Sequence, residues 1–422
     1  WLEVGGGGGG KIPAHWEVKR LRHIFKEVSI KKCGNEQQLC ATQSYGVIPK
    51  KLYSYKTVEV ISGDLNSFKL VKKDNFVISL RSFEGGIEHS NYQGIISPAY
   101  TILEPQVEIY SFYFKFLFKS SFFISTLNIH KIGIREGQNI SYASLQYTPI
   151  PLPPLQKQKE IAEFLDSKCE KIQNYIDKKQ KLITLLQEKK QALINEAVTK
   201  GLNPNIESKN SGIEYLGLIP HHWEVKKLKY LATLRNQKSN DSDFKVGLEN
   251  IESQTGKYIS TNEVVFEDSG IYFYKNDILF GKLRPYLAKV FLADREGVCV
   301  SEFLVLTPKK QCGNFLKFLM LSPLFISVVD GSTYGSKMPR ASWEFIGNLK
   351  IPLPPLHEQK EIAEFLDSKV AQIDSVIEKT KKQIELIKEY KNTLINEAVC
   401  GRVACSRDFS PFSKAQNDKK KN

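Results

Sequence analysis

The glycine run at residues 5–11 is the first segment whose residue types could bind phosphate. Six glycines followed by Lys11 match the glycine and lysine positions of a phosphate-binding loop. Such a loop also needs a Ser or Thr after the lysine to hold Mg²⁺, and a strand that aims it at a helix N-terminus. Ile12 follows the lysine, and no predicted strand precedes the run. We therefore interpret it as a flexible glycine segment.

The other residue types that catalyse reactions or bind metals form no known motif in this sequence. The histidines lack H-E-x-x-H spacing, the cysteines include no C-x-x-C pair, and no G-x-S-x-G elbow occurs. His15 and His222 each precede a tryptophan in a repeated P-x-H-W motif, and we interpret them as structural. A glycine-rich adenosyl-methionine loop and the Asn/Asp-Pro-Pro-aromatic motif that holds a flipped base are also missing. We expect no catalytic residue, no metal, no cofactor and no disulfide.

Basic side chains with aromatic neighbours form one cluster in each half of the chain. Arg can bind guanine through two hydrogen bonds, and Lys mostly contacts phosphate. In the second half, one group follows a predicted strand and another lies in a Gly- and Ser-rich loop that begins at Gly331. Taken singly, each residue is better explained by a solvated surface, but as two clusters they indicate DNA contact. The predicted DNA-binding residues are Lys50, Lys51, Tyr53, Arg81, Lys282, Arg284, Tyr286, Lys289, Lys337 and Arg340.

Length and charge agree with a multidomain protein that meets a polyanion. The chain has 422 residues, enough for two or three domains. Its 60 Lys and Arg residues exceed its 46 Asp and Glu residues, which gives a formal charge of +14. No long apolar stretch is free of charge, so we expect no membrane-spanning segment. No basic region leads into an apolar core after Trp1, so we expect no secretory signal, a missing or altered natural start, and a cytoplasmic location.

An internal duplication organises the chain. PLPPLQKQKEIAEFLDSK returns as PLPPLHEQKEIAEFLDSK, and only Gln156/His357 and Lys157/Glu358 differ. LINEAV occurs twice at the same offset, and IPAHWEVKRL is matched by IPHHWEVKKL. The chain therefore holds two copies of one module, each with a short motif, a divergent region and a helical motif. The repeated segments are residues 151–168 and 352–369, 193–198 and 394–399, and 12–21 and 219–228.

The divergent regions, residues 22–150 and 229–351, predict strands and turns with a few helices. Short β-branched and aromatic runs alternate there with Gly, Asn, Asp and Pro. Residues 115–125 resemble residues 317–327, and each stretch is expected to form one buried helix. We predict an α+β fold with two similar globular domains. The predicted strands include residues 57–61, 76–80, 271–274 and 298–306.

Each PLPPL motif is followed by a long predicted helix. Pro cannot continue a helix, so the helices are expected to begin near Gln158 and Gln359. Apolar residues then recur at spacings of three, four or seven, which places one stripe along each helix. Helices of about 40 residues, roughly 60 Å, are too long for one small domain each to cover, which favours a coiled coil over docking on their own domains. The predicted helix-packing residues are Ile161, Leu165, Ile172, Ile176, Ile183, Leu186, Leu193, Ile362, Leu366, Ile373, Ile377, Ile384, Ile387 and Leu394.

Together these patterns divide the chain into seven segments. The composition of the last segment, which ends in DKKKN, is typical of disorder. The predicted segments are a glycine segment at 1–11, a first domain at 12–150, a first helical region at 151–200, a linker at 201–218, a second domain at 219–351, a second helical region at 352–401 and a tail at 402–422.

The duplicated motifs resemble the specificity subunit of type I restriction-modification enzymes. The matching elements are IP-x-HW-E-V-K-x-L before each domain and P-L-P-P-L with E-Q-K-E-I-A-E-F-L-D after it. Copy one departs from that pattern at the glycine run and at Lys157, where copy two has Glu358. These departures concern the N-terminal edge of the first domain.

The resemblance implies a function and a set of partners. Each domain would be a target-recognition domain that reads one half of a bipartite site in double-stranded DNA, and the helices would form an antiparallel coiled coil that separates the two domains. Two methyltransferase subunits would dock on the repeated regions, and motor-nuclease subunits would join the assembled complex. Two alternatives stay open: the specificity chain of a fused methylase-nuclease system, and a coiled-coil scaffold that joins two protein-binding domains.

Overall fold

A computed structural model of the protein divides the chain into two compact units. The first unit comprises Trp1–Lys178 and Gln383–Asn422, and the second comprises Lys179–Lys382. Each unit contains one α+β domain and part of each of two long helices, which confirms the predicted fold class. The structure describes residues 2–3, 11–53, 65–80, 82–129, 131–132, 139–239, 242–261, 269–335 and 337–403.

The first unit is built on a four-stranded antiparallel sheet. Its strands lie in the order Phe25–Val28, Thr101–Pro105, Phe76–Ile78 and Glu88–His89. A tight turn sets the start of the third of these strands, because Asp74 adopts a φ of 66° and the Asn75 side chain accepts a hydrogen bond from the Lys72 amide at 3.0 Å. Aromatic rings join this sheet to the helix Ser111–Leu117, with 5.2 Å between the Phe25 and Phe114 centroids.

Smaller elements surround this sheet. The sequence motifs that open and close the copy pair with each other, since Val18 lies opposite Pro151 in the ladder between Glu17–Arg20 and Pro149–Leu152. The other strands of the unit are Leu2–Glu3, Lys11–Ile12, Leu39–Thr42, Gly46–Pro49, Lys69–Val71, Gly94–Ile96, Lys131–Ile132 and Asn139–Ile140, and its short helices are Leu21–His23, Lys50–Leu52, Leu65–Ser67, Ser82–Gly85, Ser121–Ile129 and Tyr142–Leu145.

The second unit repeats this architecture. Its main sheet has the order Ala232–Arg235, Phe303–Pro308, Ile278–Gly281 and Val290–Leu292, again antiparallel. The same turn precedes Ile278–Gly281, because Asn276 has a φ of 71° and the Asp277 carboxylate accepts from the Tyr274 amide at 2.9 Å.

The second unit also contains a second four-stranded sheet, in which Lys245–Val246 pairs in parallel with Gly297–Cys299. Glu224–Lys227 pairs with Lys350–Leu353, so the opening and closing motifs meet here too. The other strands are Ser208–Asn210, Leu218–Pro220, Lys238–Ser239, Lys245–Val246, Gly270–Phe273 and Gly297–Cys299, and the short helices are Leu228–Tyr230, Leu248–Asn250, Pro285–Leu287, Gly313–Leu321, Pro323–Asp330 and Trp343–Asn348.

The prediction that residues 115–125 and 317–327 each form one buried helix was wrong, because each stretch is divided between two helices. The break falls at Ser120 in the first unit and at Ser322 in the second. In each case the serine hydroxyl donates to a carbonyl of the preceding helix and accepts from an amide of the next, at 3.2 Å from Phe123 and 3.3 Å from Phe325. A serine that caps the next helix lets the chain turn between them.

Within the described ranges, no single helix is long and apolar enough to cross a membrane. Gly313–Leu321 and Pro323–Asp330 meet the criteria of length and composition only as a pair bent by 61°. Their apolar side chains, among them Phe315 and Phe325, lie in the hydrophobic core of the second unit.

The long helices span Leu155–Lys200 and Leu356–Val399, and each begins three residues before the predicted start. The Pro154 and Pro355 carbonyls accept from the Gln158 and Gln359 amides, both at 3.0 Å. Proline is thus compatible with the helix start, where its missing N–H is not needed. The strand predicted at 298–306 is two strands, and the one predicted at 57–61 lies outside the described residues.

The two helices run in opposite directions in each unit. In the second unit the end of the first helix and the start of the second both contribute to the domain core, with Ile194 and Ile362 in one cluster with Trp223. Lys190 on the first helix also pairs with Asp374 on the second. In the first unit, Cys169 near the start of the first helix lies within the electrostatic reach of Lys391 near the end of the second. Of the predicted packing residues, Leu186, Leu193, Ile373 and Ile387 are half-buried, and the buried ones are Ile161, Leu165, Ile172, Ile176, Ile183, Ile362, Leu366, Ile377, Ile384 and Leu394.

Candidate nucleic-acid interface

A strand end and a distant loop of the second unit meet at one edge of its domain. The strand Ile278–Gly281 continues into Lys282 and Arg284, and the loop that begins at Gly331 returns beside them. The Arg284 amide donates to the Pro339 carbonyl at 2.8 Å, and the Ala341 amide donates to the Lys282 carbonyl at 2.9 Å. Two segments that the sequence analysis placed separately therefore form one surface.

Arg284 presents its side chain from a left-handed backbone conformation. Its φ is 51°, and it precedes the single turn Pro285–Leu287, after which Ala288 has a φ of 47°. Such conformations are costly for residues other than glycine and often mark functional sites. The Arg284 side chain is exposed, and no other described residue forms a hydrogen bond or ion pair with its guanidinium. The guanidinium is thus available to a ligand.

Arg340 lies at the same edge but has an internal partner. Its Nε and Nη2 atoms donate to the two carboxylate oxygens of Glu302 at 3.2 and 3.0 Å. This hydrogen-bonded pairing raises the pKa of the guanidinium and holds it in a fixed plane. Because two of its guanidinium N–H groups already bond to Glu302, Arg340 is less suited than Arg284 to bind a guanine through two hydrogen bonds.

Lys289 is also held inside the domain. Its amine donates to the Leu248 and Ile251 carbonyls at 2.6 and 2.8 Å, and burial lowers its pKa. This side chain joins the turn Leu248–Asn250 to the strand Val290–Leu292. A DNA contact of Lys289 stays a prediction.

Besides Arg284, the exposed aromatic and basic side chains of this edge are Tyr286, Lys337 and Tyr334. Tyr286 is 48% exposed and Tyr334 is 64% exposed, which is high for tyrosine. Tyr334 was not among the predicted residues, although its place inside the Gly- and Ser-rich loop was a usable signal. Glu302 was not predicted either, because it is 38 residues away from Arg340 in the chain and no sequence motif marks it as the partner of that arginine.

In the first unit, three of the predicted DNA-binding residues lie directly after a hairpin. Leu39–Thr42 and Gly46–Pro49 form its strands, and Lys50, Lys51 and Tyr53 follow directly. Lys51 is exposed, whereas Lys50 and Tyr53 are half-buried. A bridge between Val47 and Ser90 places the hairpin beside the last strand of the main sheet. Arg81 lies outside the described residues.

Next to this hairpin is a buried ion pair that sequence reasoning did not find. Glu88 is 2% exposed and pairs with the Lys119 amine. Burial raises the pKa of Glu88 to about 7, although Lys119 opposes the shift. The neighbouring His89 ring bonds to the Asp74 carboxylate at 3.0 Å, and burial lowers the His89 pKa. Glu88 and His89 are buried in the domain, whereas the Asp74 side chain is partly exposed.

The comparison with known families identifies this architecture. The family described as "Type I restriction modification DNA specificity domain" matches the chain twice, over residues 13–186 and 220–386. The chain belongs to this family. The chain is similar to the type I restriction enzyme MjaVIII specificity subunit of Methanocaldococcus jannaschii, with 26% identity over 93% of this chain and 94% of that protein.

Solved structures show the same fold for a specificity subunit. A chain from work on complex assembly and conformational transition of the type I R-M system is similar with a TM-score of 0.70 and 14% identity, over 93% of this chain and 100% of that chain. The HsdS subunit of Thermoanaerobacter tengcongensis is similar with a TM-score of 0.55 and 15% identity, over 94% of this chain and 99% of that chain.

The repeated motifs of this specificity subunit hold each domain onto the helices. The side-chain oxygen of the buried Gln158 accepts a hydrogen bond from the backbone N–H of Tyr110 at 2.8 Å. The side-chain oxygen of Gln359 accepts one from the backbone N–H of Cys312 at 3.0 Å. The Asn of LINEAV acts from the other helix, because Asn195 accepts from the Leu324 amide at 3.2 Å. Asn396 likewise accepts from the Phe122 backbone N–H at 3.4 Å, and its side-chain NH₂ donates to the Ser121 hydroxyl. Part of the sequence identity between the copies therefore reflects internal contacts.

The motif at the start of each copy differs between the units of the specificity subunit. In the second unit, Glu358 accepts from the Trp223 indole at 2.9 Å and pairs with His222 at 2.5 Å. In the first unit Lys157 occupies the position of Glu358 and pairs with Glu160 at 3.0 Å. Within the described part of the chain, the buried Trp16 indole N–H has no acceptor.

Proposed function

We propose that this specificity subunit reads a bipartite sequence in double-stranded DNA, one half-site per domain. The observation that carries the proposal is the exposed edge of the second domain, where Arg284, Tyr286 and Lys337 lie on paired segments of backbone. Arg can bind guanine bidentately, and the other two side chains can contact phosphate and base faces. The formal charge of +14 supports a polyanionic ligand. In the first domain, Lys50, Lys51, Tyr53 and Arg81 are the proposed counterparts.

The proposed complex contains further chains that carry the chemistry. We assign methylation to two methyltransferase subunits that dock on the repeated regions, and cleavage to motor-nuclease subunits that join this core in the cytoplasm. The specificity subunit itself would be non-catalytic. Methyl transfer from adenosyl-methionine to DNA by the purified chain alone would contradict this assignment.

Substitution of Arg284 by Ala tests the DNA-binding edge. If Arg284 contacts a base, its loss should cost about 1–3 kcal/mol of discrimination and relax only the half-site read by the second domain. Methylated positions are mapped after the variant is assembled with its methyltransferase. Arg295→Ala is the matched control, because Arg295 is exposed but bonded to Asp294 at 3.0 Å. Equal loss of preference in both half-sites would show that Arg284 does not read bases.

We propose that the length of the two helices sets the number of base pairs between the half-sites. Four residues inserted into both helices, near Lys181 and Lys382, add roughly 6 Å at about 1.5 Å per residue. At about 3.4 Å per base pair along one strand, the preferred gap should grow by one or two base pairs. The half-site sequences should stay the same, because the domains are unchanged. If methylation mapping of the folded, assembled variant returned the original gap, the helices would be mere connectors.

A further inference from the structure

The second long helix buries a carboxylate within its apolar stripe. Asp374 lies between Ile373 and Ile377 and is only 8% exposed. Its Oδ1 atom lies 2.8 Å from the Lys190 amine of the first long helix, and Lys190 is buried as well. Both residues belong to the second unit. The packing face between the helices thus contains one ion pair among aliphatic side chains.

The recognition domain of the second unit contributes a third charge to this ion pair. The Lys257 amine lies 2.7 Å from Asp374 Oδ2. Lys257 follows a tight turn in which Gln254 and Gly256 have φ values of 63° and 70°. The turn fits closely against its own domain, because a Cβ at Gly256 would lie 2.6 Å from the Val290 carbonyl oxygen. One carboxylate therefore joins both helices and a rigid part of the domain.

Buried ion pairs contribute more to geometry than to net stability. Removing two charges from water offsets most of the attraction between them, so apolar replacements are often neutral or stabilising. Burial acts to raise the pKa of Asp374, but the bonds from Lys190 and Lys257 hold the pKa below its usual value. The carboxylate is thus charged and needs both partners in place. Polar residues in a helix interface are known to select one register and one orientation.

The equivalent position in the first unit carries no such group. Gln173 replaces Asp374 there, is exposed, and bonds to Asp177 on its own helix at 2.9 Å. Lys391 replaces Lys190 and is half-buried. The aliphatic stripe is present in both units, so the ion pair is an addition to one of them.

We propose that Asp374 is a positioning residue that sets the register of the helix pair and the orientation of the second recognition domain on it. Through that orientation Asp374 limits the gap between the half-sites that the specificity subunit accepts. This inference rests on the proposed function, because it requires that the domain reads a half-site at a defined distance.

Two variants separate the parts of the proposal. Lys257→Ala breaks only the link to the domain, and it should fold because the Lys257 side chain is more than half exposed. The double variant Lys190→Leu with Asp374→Leu keeps an apolar helix interface but removes the ion pair that selects its register. Gln173→Ala is the matched control in the first unit.

Each variant is assembled with its methyltransferase and tested on DNA sites whose gap is varied by one base pair at a time. Discrimination between the native gap and its neighbours should fall by about tenfold in both test variants, a loss expected for an interaction of ordinary strength. Half-site sequence preference and assembly should be unchanged, and the control should behave as the wild type.

Different results would contradict the role of Asp374 and the proposed function. If the folded, assembled test variants discriminate gaps as sharply as the wild type, Asp374 has a structural role only. If the wild type itself shows no bipartite, gap-restricted methylation, the proposed function is wrong.

Discussion

The two copies of the module share a fold but fill their interiors differently. On the main sheet, Glu88 lies opposite Val77 in the first domain, and Phe291 lies opposite Leu279 at the same place in the second. Lys119 precedes the capping serine of the first domain, and Leu321 precedes that of the second. A buried ion pair in one domain thus corresponds to apolar side chains in the other.

Where each domain meets the helices, the second copy is the one with additional buried polar contacts. Glu358 is bonded to Trp223, and Asp374 is bonded to two lysines. The first copy has Lys157 and Gln173 at these positions. The two copies share the turn before the buried strand, the capping serines, and the Gln and Asn side chains that bond each domain to the long helices. These local contacts are the same in both copies, so the fold is kept although the buried side chains of the two domains differ.

The largest effect on stability is expected when Lys119, the ion-pair partner of Glu88, is removed. Lys119→Met removes the cation that opposes the rise of the Glu88 pKa. At pH 8 the buried carboxyl must then stay charged without a partner or take up a proton, and either cost should lower the free energy of unfolding of the first unit, by about 3–5 kcal/mol for the unpaired charge. Urea unfolding gives the magnitude, and hydrogen exchange localises it to the first unit. Adding Glu88→Leu, which imitates the apolar second copy, should restore most of the loss. A double variant as unstable as the single one would show that the ion pair is not the cause.

A second difference should appear in the pH dependence. The Glu88 pKa of about 7 lies above its ordinary value of 4.5, so the folded state holds its proton more tightly than the unfolded state. Stability of the first unit should therefore fall as pH rises from about 5 to 7, by about 2–3 kcal/mol from this group. His89, with a lowered pKa, acts in the opposite direction below its ordinary value of 6.5.

The variant Glu88→Gln isolates the carboxyl contribution to this pH dependence. Unfolding curves at several pH values should show that the variant loses less stability than the wild type between pH 5 and 7. The second unit has Phe291 at this position and serves as the internal reference when exchange is followed by peptide. Parallel curves for variant and wild type would contradict the assignment.

The smallest effect should come from exchanging Lys157 and Glu358. Glu358→Lys removes the acceptor of the buried Trp223 indole and should cost about 1–3 kcal/mol. Lys157→Glu provides an acceptor for Trp16 and should stabilise the first unit by about 1 kcal/mol. Thermal unfolding measures both. Gln156→His is the control at the adjacent differing position, whose counterpart His357 is exposed, and it should change nothing.

The duplication, the α+β class and the two long amphipathic helices follow from the residue pattern alone. These are properties of local pattern, because helix periodicity and turn residues act over a few neighbouring positions. The family followed from motifs whose spacing is kept in both copies. The same local reasoning could not find the helix break at Ser120, because an apolar run hides the capping role of one serine.

Which basic side chains have internal partners became visible only in the three-dimensional structure. Arg284 and Arg340 look alike in the sequence, but only the guanidinium of Arg340 is hydrogen-bonded to a carboxylate, that of Glu302, which is 38 residues away in the chain. The backbone carbonyls that hold Lys289 are about as distant, with Leu248 at 41 residues. Asp374 looks like one more charge on a helix until Lys190 and Lys257 are placed beside it. Charge pairing depends on distance in space, and residues far apart in the chain carry no local signal of the partner they will meet.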